Sequence, residues 1–221
     1  MVSIVFDMDG VLFDTQKIYL QTWFEVADIL GIKDIEQPAH MCVGTNRNDQ
    51  AAILENFYKD RFPYDDFYRL KDEIFEKHLE AGVPLKPGVK EILQYLKNIN
   101  ARVAIASSSR IPMIKHHIEE TGISRYFDII VGGDLVEHSK PQPDIYIMAC
   151  KQLGVDPEKC YAVEDSYNGI RSAAAAGMKT IMIPDVLPPT DEMRELSYKI
   201  FDSMVDFRKY LEENGNEESV N

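Results

Sequence analysis

Cysteine is scarce in this chain, and its spacing does not suit a disulfide framework. The only cysteines are Cys42, Cys150 and Cys160, an odd number without any C-x-x-C pair. Disulfide-rich secreted scaffolds and cysteine-based redox or zinc motifs need paired or closely spaced cysteines. We therefore expect reduced thiols and a cytoplasmic protein.

Positive charge and long apolar runs are also in short supply. Lys and Arg number 24 against 37 Asp and Glu, a formal net charge of −13. Nucleic acids and anionic membrane surfaces reward clustered Lys and Arg, so we expect neither as a partner. No apolar run reaches the length of a membrane span, and an apolar run that begins at Val2 leaves no room for a signal peptide. If the substrate is an anion, individual cationic side chains must be concentrated around it.

Two further kinds of site lack their sequence signals. No G-x-x-x-x-G-K-[ST] occurs, so an ordinary nucleotide-binding P-loop is not supported. The histidines show no metal-ligand spacing: they are His40, His78, His116, His117 and His138. We expect the adjacent pair His116 and His117 to lie on a helix face.

The chain does contain enough apolar material for a sizeable core, since 45% of its 221 residues are hydrophobic. That length fits one large domain or a core with a smaller inserted domain. After residue 88, segments typical of helices and strands alternate, which predicts a parallel sheet with helices on both faces. The predicted helices span 89–99, 112–120, 144–153 and 169–176, and the predicted strands span 102–106, 128–131, 160–163 and 179–183. The apolar run Val2–Phe6 is the first strand of this sheet.

A helical stretch separates that first strand from the rest. Apolar residues recur at helical spacing from Ile18 to Leu30, before a stop signal at Gly31, and residues 50–57 and 65–79 are amphipathic. No β-type alternation interrupts residues 16–81. The stretch ends at a Pro- and Gly-rich connector over residues 82–88, of the kind that joins domains. The polar, acidic residues 212–221 are predicted to be a disordered tail.

The stretch Asp7-Met8-Asp9-Gly10-Val11-Leu12-Phe13-Asp14-Thr15 directly follows the first strand. Open α/β sheets place their ligands at the carboxyl ends of the strands. Two carboxylates there repel each other unless a cation sits between them, and one can then act as a nucleophile while the other handles protons. The simpler alternative is a polar turn, because Asp-Gly is a common turn dipeptide.

Three more polar stretches follow predicted strands or loops. Ser107, Ser108 and Ser109 end the strand 102–106, Lys140 precedes a rigid Pro-x-Pro, and Glu164 with Asp165 ends the strand 160–163. Each has a structural alternative: Ser is favoured at helix N-caps, acids are favoured near helix N-termini, and a lone Lys is most simply a surface residue. The joint occurrence of all four stretches makes these alternatives unattractive.

The four stretches, in this order, resemble the haloacid dehalogenase-like phosphatase superfamily. Within it they are most similar to the branch that contains β-phosphoglucomutase and small sugar-phosphate phosphatases, over a match that runs from residue 2 to about residue 184. The resemblance implies an α/β fold: a Rossmann-like parallel sheet core with an inserted all-helical cap domain, the first strand being near the centre. We accordingly predict a catalytic core over residues 1–14 and 84–211 and a cap over residues 15–83.

The resemblance also implies roles for individual residues in phosphoryl transfer through an aspartyl phosphate. Asp7 matches the attacking nucleophile, and Asp9 the general acid that later serves as base. Mg²⁺ is the implied cofactor, held by Asp7, the backbone carbonyl of Asp9 and Asp165, with Glu164 as a ligand or a supporting residue. Ser107 is expected to hydrogen-bond the phosphoryl group, and Lys140 to offset its charge and that of Asp7.

The expected substrate-binding residues come from the cap and from the serine run. In the cap, the segment Val43-Gly44-Thr45-Asn46-Arg47 resembles the specificity loop of the family, with Gly44 allowing close approach and Arg47 pairing with an anionic substrate. An exposed Arg at a helix N-terminus is an equally good interpretation of this segment. Ser108, Ser109 and Arg110 are the expected contacts from the core.

The favoured function is a monomeric Mg²⁺-dependent phosphatase acting on a small phosphorylated metabolite, most simply a sugar phosphate. The first alternative is a phosphohexose mutase. Thr15 and Arg47 fit the mutase pattern, but mutases of the family carry a His where this chain has Tyr19, and a Lys and an Asn where it has Arg110 and Ile111. A second alternative is a phospho-accepting signalling module, which needs no acid at the position of Asp9 and is typically shorter and uncapped.

Overall fold

The computed structural model describes residues 1–45 and 47–214. Their centre is a parallel sheet whose strands stand in the order β3-β2-β1-β4-β5-β6. The strands are β1 (Ser3–Phe6), β2 (Arg102–Ser107), β3 (Ile129–Gly132), β4 (Tyr161–Glu164), β5 (Lys179–Met182) and β6 (Lys199–Ile200). The expected Rossmann-like parallel sheet is confirmed, and β1 lies next to the middle of it. This position explains why all four residues of Ser3–Phe6 are buried, since a central parallel strand is covered on both faces.

Ten α-helices accompany the sheet in the described part of the chain. They are α1 (Gln16–Leu30), α2 (Glu36–Met41), α3 (Arg47–Tyr58), α4 (Tyr64–His78), α5 (Val89–Asn98), α6 (Ile111–Glu120), α7 (Asp144–Leu153), α8 (Tyr167–Ala175), α9 (Asp191–Leu196) and α10 (Met204–Asn214). The alternation predicted after residue 88 is therefore present, with ends shifted by one or two residues in most elements.

Alternate residues of the strands feed two apolar layers, one on each face of the sheet. Ile4 and Phe6 of β1 pack with apolar residues of α5, α6 and α10. Val5 points the other way and packs with α7 and α8. This is the two-residue period of a strand converted into a core on either side. The layers fix the sheet and therefore the carboxyl ends of its strands.

The helices α1 to α4, between β1 and β2, enclose an apolar cluster of their own. Trp23 is fully buried, and its ring centroid lies 4.9 Å from that of Phe67. Val186 and Leu187, from the loop after β5, pack against the same cluster. The chain enters and leaves this helical segment through two connectors that pair with each other at Phe13 and Leu85. We refer to residues 15–83 as the helical insertion; its status as a separate domain stays a prediction.

The predictions missed several elements, and one prediction about the C-terminus was wrong in part. Helices α2, α9 and α10 and strand β6 were not predicted. Residues 212–214, expected in a disordered tail, belong to α10, which is anchored because Met204, Phe207 and Leu211 are buried. Residues 215–221 of that predicted tail lie outside the described residues. Within the described ranges 1–45 and 47–214, no helix is both long and apolar enough to cross a membrane.

Candidate active site

Four separate stretches of the sequence meet at the carboxyl edge of the sheet. Asp7 directly follows β1, Ser107 ends β2, Glu164 ends β4, and Lys140 lies in the loop before α7. The order β2-β1-β4 makes these strand ends neighbours, although Asp7 and Glu164 are 157 residues apart in sequence. Asp7, Ser107 and Lys140 line a pocket of about 600 Å³, which the helical insertion covers from the opposite side.

Lys140 is a buried ammonium held between two carboxylates. Its side chain is 3% exposed, and Nζ lies 2.6 Å from Asp7 Oδ1 and 2.6 Å from Glu164 Oε1. Nζ also donates to the carbonyl oxygen of Ala106 at 3.2 Å. Burial acts to lower the pKa of Lys140, but Asp7 and Glu164 outweigh it and the pKa is raised. Lys140 is thus a fixed positive charge in contact with the carboxylate that the sequence predicts to be the nucleophile.

Glu164 is the most completely enclosed carboxylate of the site. Oε1 accepts from Lys140 Nζ and, at 2.6 Å, from the hydroxyl of Tyr146. Oε2 accepts from the Ser166 hydroxyl and from the backbone N–H groups of Asp165 and Ser166. A side chain at Gly169 would collide with this carboxylate, so the start of α8 needs glycine there. These donors satisfy both oxygens of a fully buried charge.

Asp7, Glu164 and Asp165 form a buried cluster whose ligand oxygens all lie within 4.8 Å of one another. Burial is the main cause that raises the pKa of Asp7 to about 7, and it also raises the pKa of Asp165 well above its ordinary value. The neighbouring Glu164 carboxylate adds to both shifts. The buried atom Asp165 Oδ1 has no hydrogen-bond partner among the residues that the structure describes. Crowded carboxylates with an unsatisfied oxygen fit a cation, and an all-oxygen donor set suits Mg²⁺ better than zinc.

Asp9 faces the same pocket but belongs to a different network. Its Oδ1 accepts from the Thr15 hydroxyl at 2.6 Å, and its Oδ2 accepts from the Ser109 hydroxyl at 3.3 Å. Gly10, directly after Asp9, has φ of +84°, and a Cβ there would run into the Asp165 carboxylate. The turn that follows Asp9 is therefore restricted to glycine.

The serine run closes the core side of the pocket. Ser107 is buried, and its Oγ accepts from the backbone N–H of Ser109 at 3.1 Å. Ser108, Ser109 and Arg110 line the same pocket. Arg110 is exposed and precedes the first residue of α6. All the predicted core residues except Glu164 and Asp165 therefore line one cavity.

From the helical insertion, Gly44, Thr45 and Arg47 reach the same pocket. Gly44 has φ of +72°, and a Cβ there would lie 2.7 Å from the Ser166 Cβ, so the loop touches the core closely only because it carries glycine. Arg47 Nη2 pairs with Asp72 Oδ2 at 2.7 Å. Asn46, also predicted to bind substrate, lies outside the described residues.

Several residues of the site were not singled out by the sequence. Lys71 and Asp72, which line the pocket, and Tyr146, which donates to Glu164, gave no signal, because each falls within an ordinary amphipathic helix. His117 was expected simply on a helix face; it is 6% exposed and lines the pocket, with its ring edge-on to Phe13 at 5.7 Å between centroids. Burial lowers its pKa, so the imidazole is neutral near pH 7. The burial of His117 against Phe13 could not be predicted from the sequence, because it depends on how the connector packs on α6 in the folded chain.

Comparison with known proteins gives consistent similarities over most of the chain. The sequence profile of the family described as haloacid dehalogenase-like hydrolase matches residues 4–183. A phosphorylated carbohydrates phosphatase of Thermotoga maritima is 30% identical over 181 residues, which cover 82% of this chain and 84% of that protein. The crystal structure of CbbY from Rhodobacter sphaeroides in complex with xylulose-1,5-bisphosphate superposes with a TM-score of 0.75 at 28% identity, covering 93% of this chain and 96% of that one. A β-phosphoglucomutase of Clostridium difficile shares the fold, with a TM-score of 0.80 at 24% identity over the full length of both chains.

Proposed function

The chain belongs to the haloacid dehalogenase-like hydrolase family, and we propose that it is a Mg²⁺-dependent phosphatase that hydrolyses a small phosphomonoester through an aspartyl phosphate. The observation that carries the proposal is the buried ion triad in which Lys140 Nζ lies 2.6 Å from both Asp7 and Glu164. Burial of a lysine costs desolvation free energy, and such buried, paired charges cluster at functional sites. Lys140 also lines a pocket large enough for a sugar phosphate.

Asp7 is proposed to attack the phosphorus of the bound ester with one carboxylate oxygen. The new Asp7–phosphorus bond forms as the bond between phosphorus and the ester oxygen breaks, and Asp9 donates its proton to that leaving oxygen. Thr15 and Ser109 hold the Asp9 carboxyl by hydrogen bonds of 2.6 and 3.3 Å, which fixes its direction for this transfer. Asp7 is freed to attack because Lys140 holds the other oxygen of its carboxylate.

Asp9 then takes the second role. As a carboxylate it accepts a proton from a water molecule, whose oxygen attacks the phosphorus and releases inorganic phosphate and Asp7. The same pair of hydrogen bonds serves both steps, so the acid need not move between them. Ser107 lies beside Asp7 in the pocket and is proposed to hydrogen-bond the phosphoryl oxygens, while Lys140 balances their charge.

The cation would be held by Asp7, Asp165 and the backbone carbonyl of Asp9, with Glu164 as a supporting residue. When bound, Mg²⁺ supplies positive charge that offsets the phosphoryl group and the crowded carboxylates. Glu164 suits the supporting role because Lys140, Tyr146, Ser166 and the backbone already satisfy its two oxygens.

The helical insertion is proposed to act as a cap domain over residues 15–83, with the core over residues 1–14 and 84–211. Two features support this division: the insertion has an apolar cluster of its own, and it joins the core through the paired connectors at Phe13 and Leu85. Transfer requires exclusion of bulk water, and turnover requires readmission of substrate, so a cap that opens and closes meets both needs.

A phosphohexose mutase remains the second candidate, because Thr15 and Arg47 fit that pattern and the fold is shared with a β-phosphoglucomutase. Tyr19 argues against it. Burial raises the pKa of Tyr19, so its phenol stays neutral. A phenol has no cationic form comparable to a protonated histidine, so it cannot provide that partner. Ile111, with its apolar side chain, also offers no polar group to a second phosphate.

The test is a product measurement. Purified protein with Mg²⁺ is given a panel of sugar and polyol phosphates, and released phosphate is quantified; activity should vanish in excess chelator and return with Mg²⁺. For the mutase alternative, β-glucose 1-phosphate is supplied with a catalytic amount of the bisphosphate. Glucose 6-phosphate appearing faster than free phosphate would replace the phosphatase by the mutase. A monomeric state and a cytoplasmic location stay predictions.

A further inference from the structure

Arg47 and Lys71, which line the pocket from the helical insertion, share one carboxylate. Asp72 Oδ2 lies 2.7 Å from Arg47 Nη2, and Asp72 Oδ1 lies 3.2 Å from Lys71 Nζ. All three side chains line the cavity that also holds Asp7 and Lys140. With Glu76, the described charged residues of the helical insertion that line this cavity are two cations and two anions, so their formal charges cancel.

Aromatic rings hold the two cations against Asp72. The Arg47 guanidinium carbon lies 4.4 Å from the centroid of the Tyr68 ring, and Lys71 Nζ lies 5.1 Å from that of Tyr19. Lys71 has little freedom to turn elsewhere, since its side chain is 13% exposed. The aromatic contacts and the two ion pairs therefore place Asp72 between the two cations.

We infer that Asp72 is a specificity-determining residue that restricts this enzyme to substrates with a single anionic group. The inference rests on the proposed function. Without Asp72, Arg47 and Lys71 would form a ready site for a second phosphate at the far end of the substrate. With Asp72 between them, a second phosphate meets a like charge, whereas neutral hydroxyl groups can donate to the carboxylate and accept from Arg47. Asp72 is thus a repulsive element against bisphosphates.

The test compares two ligands that differ by one phosphate, fructose 1-phosphate and fructose 1,6-bisphosphate. Binding is measured by titration calorimetry with Mg²⁺, using Asp9→Asn as the parent because it slows turnover and leaves the carboxylate cluster intact. The readout is the Kd of the monophosphate divided by the Kd of the bisphosphate. Adding Asp72→Asn should raise this ratio roughly tenfold, a moderate effect because Asp72 is partly exposed to solvent.

A matched control lies on the same helix. Asp66→Asn also removes one negative charge from α4, but Asp66 pairs with Arg69 at 3.3 Å on the outer surface, so the ratio should not change. Adding Arg47→Gln to Asp72→Asn should abolish the gain, because the released guanidinium is the group that receives the second phosphate. Unfolding midpoints of all variants verify that α4 is intact.

The inference is overturned if the ratio changes less than about twofold with Asp72→Asn, or if Asp66→Asn changes it equally. It is also overturned if the bisphosphate does not bind the Asp72→Asn protein more tightly than its parent. Phosphate release by the wild-type enzyme tests the proposed function separately, so a failure of one is not mistaken for a failure of the other.

Discussion

Replacement of Lys140 by methionine removes the charge at the centre of the ion triad. Methionine keeps most of the length of the side chain, but it cannot make the bonds of 2.6 Å to Asp7, 2.6 Å to Glu164 and 3.2 Å to the carbonyl of Ala106. Two carboxylates are left facing each other in a site that is almost closed to water. We expect the metal-free protein to be strongly destabilised at alkaline pH.

The magnitude follows from the burial of all partners. Removal of one member of a buried ion pair typically costs about 3–5 kcal/mol in the free energy of unfolding, because the remaining charge is uncompensated. In a chain of this size, each kcal/mol lowers Tm by about 2–4 °C, which gives an expected fall of roughly 6–20 °C. The kcat should also fall by about two orders of magnitude or more, since the charge that balances the phosphoryl group is gone.

The cost of the substitution depends on pH through Asp7. Burial raises the pKa of Asp7 from 3.8 to about 7 in the folded protein, and Lys140 opposes that rise. Since the folded pKa exceeds the unfolded one, the folded state holds the extra proton between these values, and the free energy of unfolding falls as the pH rises through that window. Without Lys140 the pKa moves higher still. The variant should therefore lie much closer to wild type at about pH 5.5 than at about pH 8.

Urea denaturation of the metal-free proteins at these two pH values measures the effect. Lys159→Met is the matched control, because Lys159 is 77% exposed and lies 3.8 Å from Asp156 at the surface; its effect should stay within about 0.5 kcal/mol. A deficit for Lys140→Met below about 1 kcal/mol at the higher pH, or an equal deficit at both pH values, would refute the electrostatic account.

Three other predictions concern the reaction itself. Asp7→Asn should lower kcat by at least about three orders of magnitude without loss of the fold, because an amide cannot form an acyl phosphate; more than a tenth of wild-type kcat in a phosphate-release assay would contradict its role as nucleophile. Ca²⁺ should bind but not support phosphate release, because it accepts extra ligands and can engage both oxygens of Asp7; turnover with Ca²⁺ as fast as with Mg²⁺ would contradict this. Gly44→Ala should lower kcat/KM by about one to two orders of magnitude, because its Cβ would lie 2.7 Å from that of Ser166; an unchanged kcat/KM would mean that this contact is not needed for activity.

Local patterns were sufficient for strands β1 to β5, because each of these strands carries its own signal. Apolar β-branched residues at 3–6, 102–106 and 160–163 indicate buried parallel strands whatever surrounds them. Helix α5 was equally visible from its apolar spacing and from Gly88, which precedes it with φ of +86°. The short elements α2, α9 and β6 were missed, because a segment of two to six residues carries too little periodicity to stand out.

The helical insertion shows the limit of such patterns most clearly. Helices α1 and α4 were predicted from their apolar positions. Nothing local indicates that the C-terminal half of α4 faces the proposed substrate pocket. Asp72 looks like any charge on an amphipathic helix. Its proposed role depends on the fold. The loop over residues 42–45 leads into α3, whose first residue, Arg47, lies 2.7 Å from Asp72 although 25 residues separate them.

Strand-end carboxylates, hydroxyls and a lysine in a fixed order are local features. They were therefore enough to predict the α/β class, the core motif residues and the resemblance to a phosphotransferring family. Which atoms pair depends instead on the folded chain. Lys140 bridges Asp7 and Glu164 and Tyr146 supports Glu164, because parallel pairing of β1 with β2 and β4 brings distant strand ends to one edge. Burial then changes the chemistry, since the same carboxyl that is an ordinary acid in the unfolded chain has a pKa of about 7 once water is removed from it.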